Sequence, residues 1–288
     1  MRMKGMGRYK VLGLRFKAII SIELKWSIGK KEREESFIGH LRKNEMSAAQ
    51  WQIATLVKMS FAAENVKTMV FSIPNRPPFQ SGQHYDIRLT APSGYVAERS
   101  YSIASPPEEE NLEFGIELLE NGEVSPYLWN MTVGRQIEMR GPIGGHFVWN
   151  TSFKEPLILI GGGSGMVPLV SMLRHHMHHL ESETFREVRI LLSAKTLERI
   201  LYKDELAAST KRDPHLKIFT TLTGKKSDGW NGYSRRVDQT MLAEVFGDLK
   251  KKDSLTFICG RTAFVESIAS NMLSLGFSQK NIKTERFG

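Results

Sequence analysis

The chain has 288 residues, 41% hydrophobic and 25% charged, the composition of an ordinary globular protein long enough for two domains. No apolar run approaches the roughly 20 residues that span a bilayer, which excludes a transmembrane helix. The one cysteine, Cys259, excludes an intrachain disulfide and any iron–sulfur cluster held by four cysteines of this chain.

The net charge of +9 is unevenly placed. Residues 1–45 hold twelve Lys/Arg against five Asp/Glu, a balance of +7, leaving +2 for the other 243 residues. A basic segment on a near-neutral body is not a basic binding face, so no nucleic-acid partner is expected. Within that segment the apolar piece Ala18-Ile19-Ile20 is too short and too interrupted by charge for a secretory signal. Glu23, Glu32, Glu34 and Glu35 oppose a mitochondrial-type presequence, despite Arg2, Lys4, Arg8, Lys10, Arg15 and Lys17. The stretch is read as a disordered basic extension, translated upstream of a start at Met46, and a cytoplasmic location is expected.

From residue 46 to 153 the signals are those of strands. Gln52–Val57, Val66–Ile73, Tyr85–Leu89, Tyr101–Ala104, Leu112–Leu118 and Gln136–Arg140 are separated by Pro, Gly, Asn and Ser turns. Six short strands with little helix between them predict a closed antiparallel barrel. Ser125–Asn130 is predicted to form one short helix, with Ser125 as its N-cap.

The pattern changes near Thr151–Glu155, and residues 154–288 form a second unit. Strands are predicted at Leu157–Ile160, Val188–Ser193, Leu216–Thr221 and Leu255–Cys259. Helices alternate with them at Met166–Leu180, Lys203–Thr210, Asp238–Phe246 and Thr262–Leu275, the order of a doubly wound parallel sheet. The first strand runs into Gly161-Gly162-Gly163-Ser164-Gly165 and then a helix, an arrangement that suits a pyrophosphate. Met166 stands where the usual dinucleotide fingerprint has its third glycine, and no acid ends the next strand to bind a ribose 2′-hydroxyl. An ordinary dehydrogenase is therefore a poor fit, and the glycines also allow a tight turn without ligand.

The segment Arg99-Ser100-Tyr101-Ser102-Ile103-Ala104-Ser105, with Gly163-x-Gly165-x-x-Pro168, resembles the ferredoxin–NADP reductase superfamily, including reductase components of bacterial oxygenases. Phe79-x-x-Gly82-Gln83, Gly122–Leu128, Gly141–Phe147 and Cys259-Gly260 extend the resemblance in the family's order from about Trp51 to Phe287. It implies an FAD-binding barrel at 46–153 and an NAD(P)H-binding unit at 154–288, with FAD and NADPH or NADH as cofactors. Arg99 would pair with the FAD pyrophosphate, Tyr101 would pack on the flavin, and Ser102 would lie by flavin N5. Val124 and Ser125 would hold the second phosphate. Gly163, Gly165 and Met166 would cradle the nucleotide's pyrophosphate, with Pro168 setting the helix. Cys259 and Gly260 would lie beside the nicotinamide, and Phe287 where relatives stack an aromatic on the flavin. Ser102 and Cys259 are the catalytic candidates.

Glu117 departs from relatives that carry Lys or Arg nearby, which removes a positive contribution to flavin retention. Ser193, Lys195 and Arg199, with Lys225-Lys226, follow the second and third parallel strands and favour NADPH through its 2′-phosphate. His175-His176-Met177-His178-His179 is read as a solvated helix face, and no metal site is expected. The predicted function is hydride transfer from NAD(P)H to FAD, then electron transfer to a separate acceptor: a ferredoxin, an oxygenase component or a small molecule. The alternatives are a reductase of free flavin and a non-catalytic nucleotide-sensing module on the same fold.

Overall fold

Residues 50–181, 186–224 and 228–287 are described by a computed structural model of the chain. The expectations for the basic extension, the start at Met46 and Lys225-Lys226 lie outside these residues. Among the described residues no helix is long and apolar enough to cross a membrane.

The first sheet contains β1 (Trp51–Ala63), β2 (Val66–Ser72), β3 (His84–Thr90), β4 (Val96–Ser102), β5 (Leu112–Glu117) and β6 (Gln136–Ile143). All its pairings are antiparallel, in the order β4-β3-β6-β1-β2-β5. Its two edges meet through an Ile103–Phe114 bridge and a bond from Ala104 N to Glu113 O of 2.7 Å. That contact closes the predicted barrel around Leu56, Phe71, Tyr85, Ile87, Phe114 and Met139. The strand predicted at Tyr101–Ala104 is thus the end of β4 plus this closing bridge. β1 also runs further than predicted, because irregularities after Leu56 and Phe61 break the alternation that marks a strand.

The short helix α1 (Ser125–Trp129) lies between β5 and β6, and its N-cap is Val124, not Ser125. The Ser125 hydroxyl instead turns back and accepts the Leu119 N–H at 3.1 Å, so it ties the preceding loop.

The second sheet is parallel, with β7 (Leu157–Gly162), β8 (Val188–Ala194), β9 (Leu216–Leu222), β10 (Leu255–Arg261) and β11 (Ile282–Phe287). Its order is β11-β10-β7-β8-β9, so the chain winds outward from β7 and returns to its other side. Helices α2 (Met166–His178), α3 (Lys203–Arg212), α4 (Gln239–Phe246) and α5 (Thr262–Ser274) cover both faces. Leu157 and Leu159 enter the core with α2 and α3, while Ile158 and Ile160 enter the core with α4 and α5. Burial on both sides explains why β7 is continuously apolar rather than alternating. Each such side chain contributes about 1.5–3 kcal/mol, which makes β7 the spine of this half. β11 escapes the sequence pattern: Ile-Lys-Thr-Glu-Arg-Phe is charged and sits at the sheet edge, where burial on two faces is not required.

α2 is the element both sheets share. Val66, Ala104, Phe147 and Trp149 join its Val167, Leu169, Met172 and Leu173 in one buried cluster. Ser171 Oγ donates to Ser105 O at 2.7 Å, and Arg174 bonds Ala104 O and Glu113 of the barrel and Glu205 of α3. These contacts satisfy polar groups that burial would otherwise penalise, and they hold the barrel against the glycine turn.

Candidate functional site

Reversal of strand order between β7 and β10 leaves a crevice at the carboxyl ends of the strands, the usual ligand position in such sheets. Gly161 and Gly162 end β7, Gly163–Gly165 form one tight 3-10 turn, and α2 starts at Met166. Gly163 has φ +57°, with open space where a side chain would stand. Gly165 is closed instead: a Cβ there would lie 2.3 Å from Cys259 O and 2.8 Å from Gly260 N. Glycine is what lets α2 begin against the end of β10. Met166 folds its buried side chain beneath the turn, its sulfur 2.4 Å from where a Gly161 Cβ would be.

Two clefts meet above this turn. One, of about 260 Å³, is lined by Gly162, Gly163 and Ser164 with Ser193, Lys195 and Arg199. The other, of about 680 Å³, is lined by Arg99, Tyr101, Ser102, Val124 and Ser125. Glu117, Ser164, Arg261 and Phe287 line both. The structure therefore gathers the predicted flavin residues in one cleft and Gly163, Ser193, Lys195 and Arg199 of the predicted nucleotide residues in the other, with Phe287 at their junction, while Gly165 and Gly260 line neither. Met166 and Pro168 line neither cleft; both are buried below it. Cys259 also lines neither, its thiol being buried behind the turn.

Charge in the larger cleft is already organised. Arg99 Nη2 donates to Glu123 Oε2 at 2.6 Å, and Tyr95 donates its hydroxyl to the other Glu123 oxygen. Burial pushes the Tyr101 phenol up to about 12, so its ring stays neutral in the physiological range. Glu117 accepts bonds from Asn65 Nδ2 at 3.0 Å and from Ser164 Oγ at 2.7 Å. Glu117 thus fastens β5 to the glycine turn. Arg261, directly after Cys259-Gly260, supplies a cation at the shared wall.

Behind the junction lies a polar pair, Cys259 buried and Glu285 half-buried, that the sequence pattern does not reveal. Cys259 and Glu285 are register partners on β10 and β11, and Cys259 Sγ is 3.8 Å from Glu285 Oε2. Burial pushes the thiol up, and burial raises Glu285 to about 7. His84, whose register partner is Ser102, lies 3.9 Å from the other Glu285 oxygen. Recognising β11 as a strand would have revealed Glu285, because alternation puts it on the same face as Phe287.

The pair carries a pH prediction. Glu285 has a folded value near 7 against an ordinary value of 4.5, so its contribution to stability is fully present below about 4.5 and is lost as pH rises through about 7. The melting temperature of the wild type is expected to fall across that interval, and Glu285→Gln to flatten the fall. A Gln variant with the wild-type pH profile would refute this assignment.

The histidine run is not the solvated face expected. His175 and His176 are buried, and His176 Nε2 bonds Asp213 Oδ2 at 2.8 Å. α2 packs this end against the barrel and α3, so only His178 is fully exposed in the run.

Residues 53–149 match the family described as oxidoreductase FAD-binding domain, and residues 159–270 the oxidoreductase NAD-binding domain. One component of the Na(+)-translocating NADH-quinone reductase of Methylococcus capsulatus is 26% identical to the chain over 205 residues. That match covers 67% of this chain and 49% of the relative, so the chain spans about half that relative's length. The chain is 29% identical over 213 residues to ferredoxin–NADP reductase B of Sorangium cellulosum, covering 73% of this chain and 85% of that one. A crystal structure of a ferredoxin NADP+ reductase from Neisseria gonorrhoeae, with bound FAD and NADP, superposes with a TM-score of 0.71. That likeness covers 83% of this chain and 99% of the other at 19% identity, and shows the fold. The chain belongs to the ferredoxin–NADP reductase superfamily and carries its FAD-binding and NAD-binding domains.

Proposed function

We propose that this chain takes a hydride from a reduced nicotinamide nucleotide onto FAD and hands the electrons to a separate acceptor. The carrying observation is the pair of clefts that share one wall at Phe287, Ser164, Glu117 and Arg261. The residues present fit both groups: Arg99 offers a forked cation for a pyrophosphate, Tyr101 a neutral ring face, and Gly163 an open backbone. Bound in the larger cleft, FAD supplies a ring that accepts hydride and releases electrons singly or in pairs.

The chain's own residues do the rest. Arg99, Val124 and Ser125 anchor the phosphates; Tyr101 sets the ring's face, and Ser102 places a hydroxyl at its edge. Gly163 and Gly165 let the nucleotide's pyrophosphate approach the start of α2, while Pro168 stiffens that first turn. Phe287, which lines both clefts, would shield their junction from water. Cys259, kept neutral by burial, and Glu285, raised by burial to about 7, lie behind the turn rather than in either cleft, so they would act on the site only through its walls.

Ser193, Lys195 and Arg199 line the smaller cleft together and could bond a 2′-phosphate, which supports NADPH as the donor. Lys195→Ala is expected to cut kcat/KM for NADPH roughly tenfold and to leave NADH nearly unchanged, about 1.4 kcal/mol of selective binding. Equal losses with both nucleotides would remove the 2′-phosphate role. Reductases of ferredoxin and of dioxygenase systems among the relatives support a ferredoxin or an oxygenase component as acceptor, with a small molecule as the alternative.

The deciding experiment is anaerobic mixing of FAD-loaded protein with NADPH and NADH while following the flavin absorbance. Bleaching by either nucleotide is the expected result. Bound flavin that neither nucleotide bleaches would overturn the enzyme reading in favour of a sensing module. Reduction of free flavin by a colourless protein would make flavin the substrate.

A further inference from the structure

At the far end of α2 from the glycine turn, three metal-ligating groups converge. His175 and His179 are one helical turn apart, and both imidazoles meet Glu108, which comes from the β4–β5 loop of the barrel. His175 Nδ1 lies 2.6 Å and His179 Nε2 lies 2.8 Å from Glu108 Oε1, and the three ligand atoms all fall within 4.8 Å. The His175 ring is held edge-on against the buried Trp149 at 5.5 Å, which fixes its direction.

We propose that Glu108, His175 and His179 form a site for a divalent transition metal of the zinc class, which staples the barrel to α2. Two imidazoles and one carboxylate are the borderline donors such ions take, whereas calcium and magnesium prefer oxygen alone. Metal–ligand bonds of about 2.0–2.2 Å put neighbouring donors of a tetrahedral site roughly 3.4 Å apart. The cluster would reach that spacing by opening its two N–O contacts by less than about 1 Å and bringing the two imidazole nitrogens, already within 4.8 Å, toward the same separation. The Glu108 and His179 side chains are 20% and 35% exposed, so the move is cheap and an ion can enter from solvent. Nine residues of helix, about 14 Å, separate His175 from Met166, so the ion acts on domain attachment rather than on hydride transfer. The Arg174 bonds to the barrel sit beside it and serve the same junction.

The test uses the full chain without an affinity tag, stripped with EDTA, dialysed, and titrated calorimetrically with Zn2+. One equivalent is expected to bind with a Kd in the micromolar range or below, and to raise the melting temperature. Co2+ in its place is expected to give the visible bands of a four-coordinate ion. Glu108→Gln and His179→Gln should each weaken Zn2+ binding at least about tenfold, while His178→Gln should not. Both target side chains lie at the protein edge, so these variants are expected to fold, and flavin bleaching by the nucleotide should be retained. Absence of saturable one-equivalent binding would overturn the site. So would wild-type affinity in Glu108→Gln, which would reduce it to a surface histidine pair.

Discussion

Replacing Arg99 by Ala is expected to weaken FAD binding by about 10- to 150-fold, so that the protein purifies with little flavin. Charge-assisted bonds from a guanidinium to a phosphate are worth about 1.5–3 kcal/mol, and each 1.4 kcal/mol is a factor of ten. Two effects act in the same direction here. The substitution removes the cation, and it leaves Glu123, its present partner at 2.6 Å, as an uncompensated negative charge in the cleft. Arg99→Lys should recover only part of the loss, because a point charge cannot bond two phosphate oxygens as a planar fork does. Fluorescence titration of flavin-free protein with FAD measures the effect. Full flavin content in Arg99→Ala would show that the pyrophosphate is held elsewhere.

The second large effect is expected at the glycine turn. In Gly165→Ala the new Cβ would stand 2.3 Å from Cys259 O and 2.6 Å from its carbonyl carbon, both backbone atoms that cannot rotate away. α2 and β10 must separate, at a cost on the order of 3 kcal/mol for forced overpacking. For a chain of this size that is roughly a 6–12 °C fall in melting temperature. Nucleotide binding should fail with it, because the turn and the end of β10 frame the same crevice. Gly163→Ala provides the contrast: its Cβ meets open space, and only the left-handed backbone at φ +57° resists, costing about 1–2 kcal/mol. Thermal melts of the two variants should therefore rank Gly165→Ala well below Gly163→Ala. The reverse order would mean that strand–helix contact is not what requires Gly165.

Much of this architecture is written in local pattern, because burial on one face or two leaves a period in the chain. β7 reads as Leu-Ile-Leu-Ile because both its faces are covered, and the glycines after it mark the turn. The Arg99–Ser102 stretch at the end of β4 supplies one wall of the larger cleft, since a strand end aims its side chains at a fixed place. What escapes is of another kind. β11 hides because an edge strand tolerates charge, and Glu285 is lost with it. Ser125 looks like a cap in sequence, but its hydroxyl is taken by the Leu119 N–H. The histidine run gives no sign of Glu108, which lies 67 residues from His175 along the chain. Pairings that distant depend on how two sheets pack, and no local period records them.

If the two clefts take FAD and nucleotide as proposed, their shared wall at Glu117, Ser164, Arg261 and Phe287 lets one occupancy act on the other, and the effect is reciprocal. Whatever free energy a nucleotide gains or loses when FAD is in place, FAD gains or loses when the nucleotide is in place. The Glu117–Ser164 bond joins a barrel strand to the glycine turn, so on the proposed function it is a direct route for that coupling. Nucleotide preference is thus a property of the doubly loaded protein, and an affinity measured on flavin-free chains describes a different site.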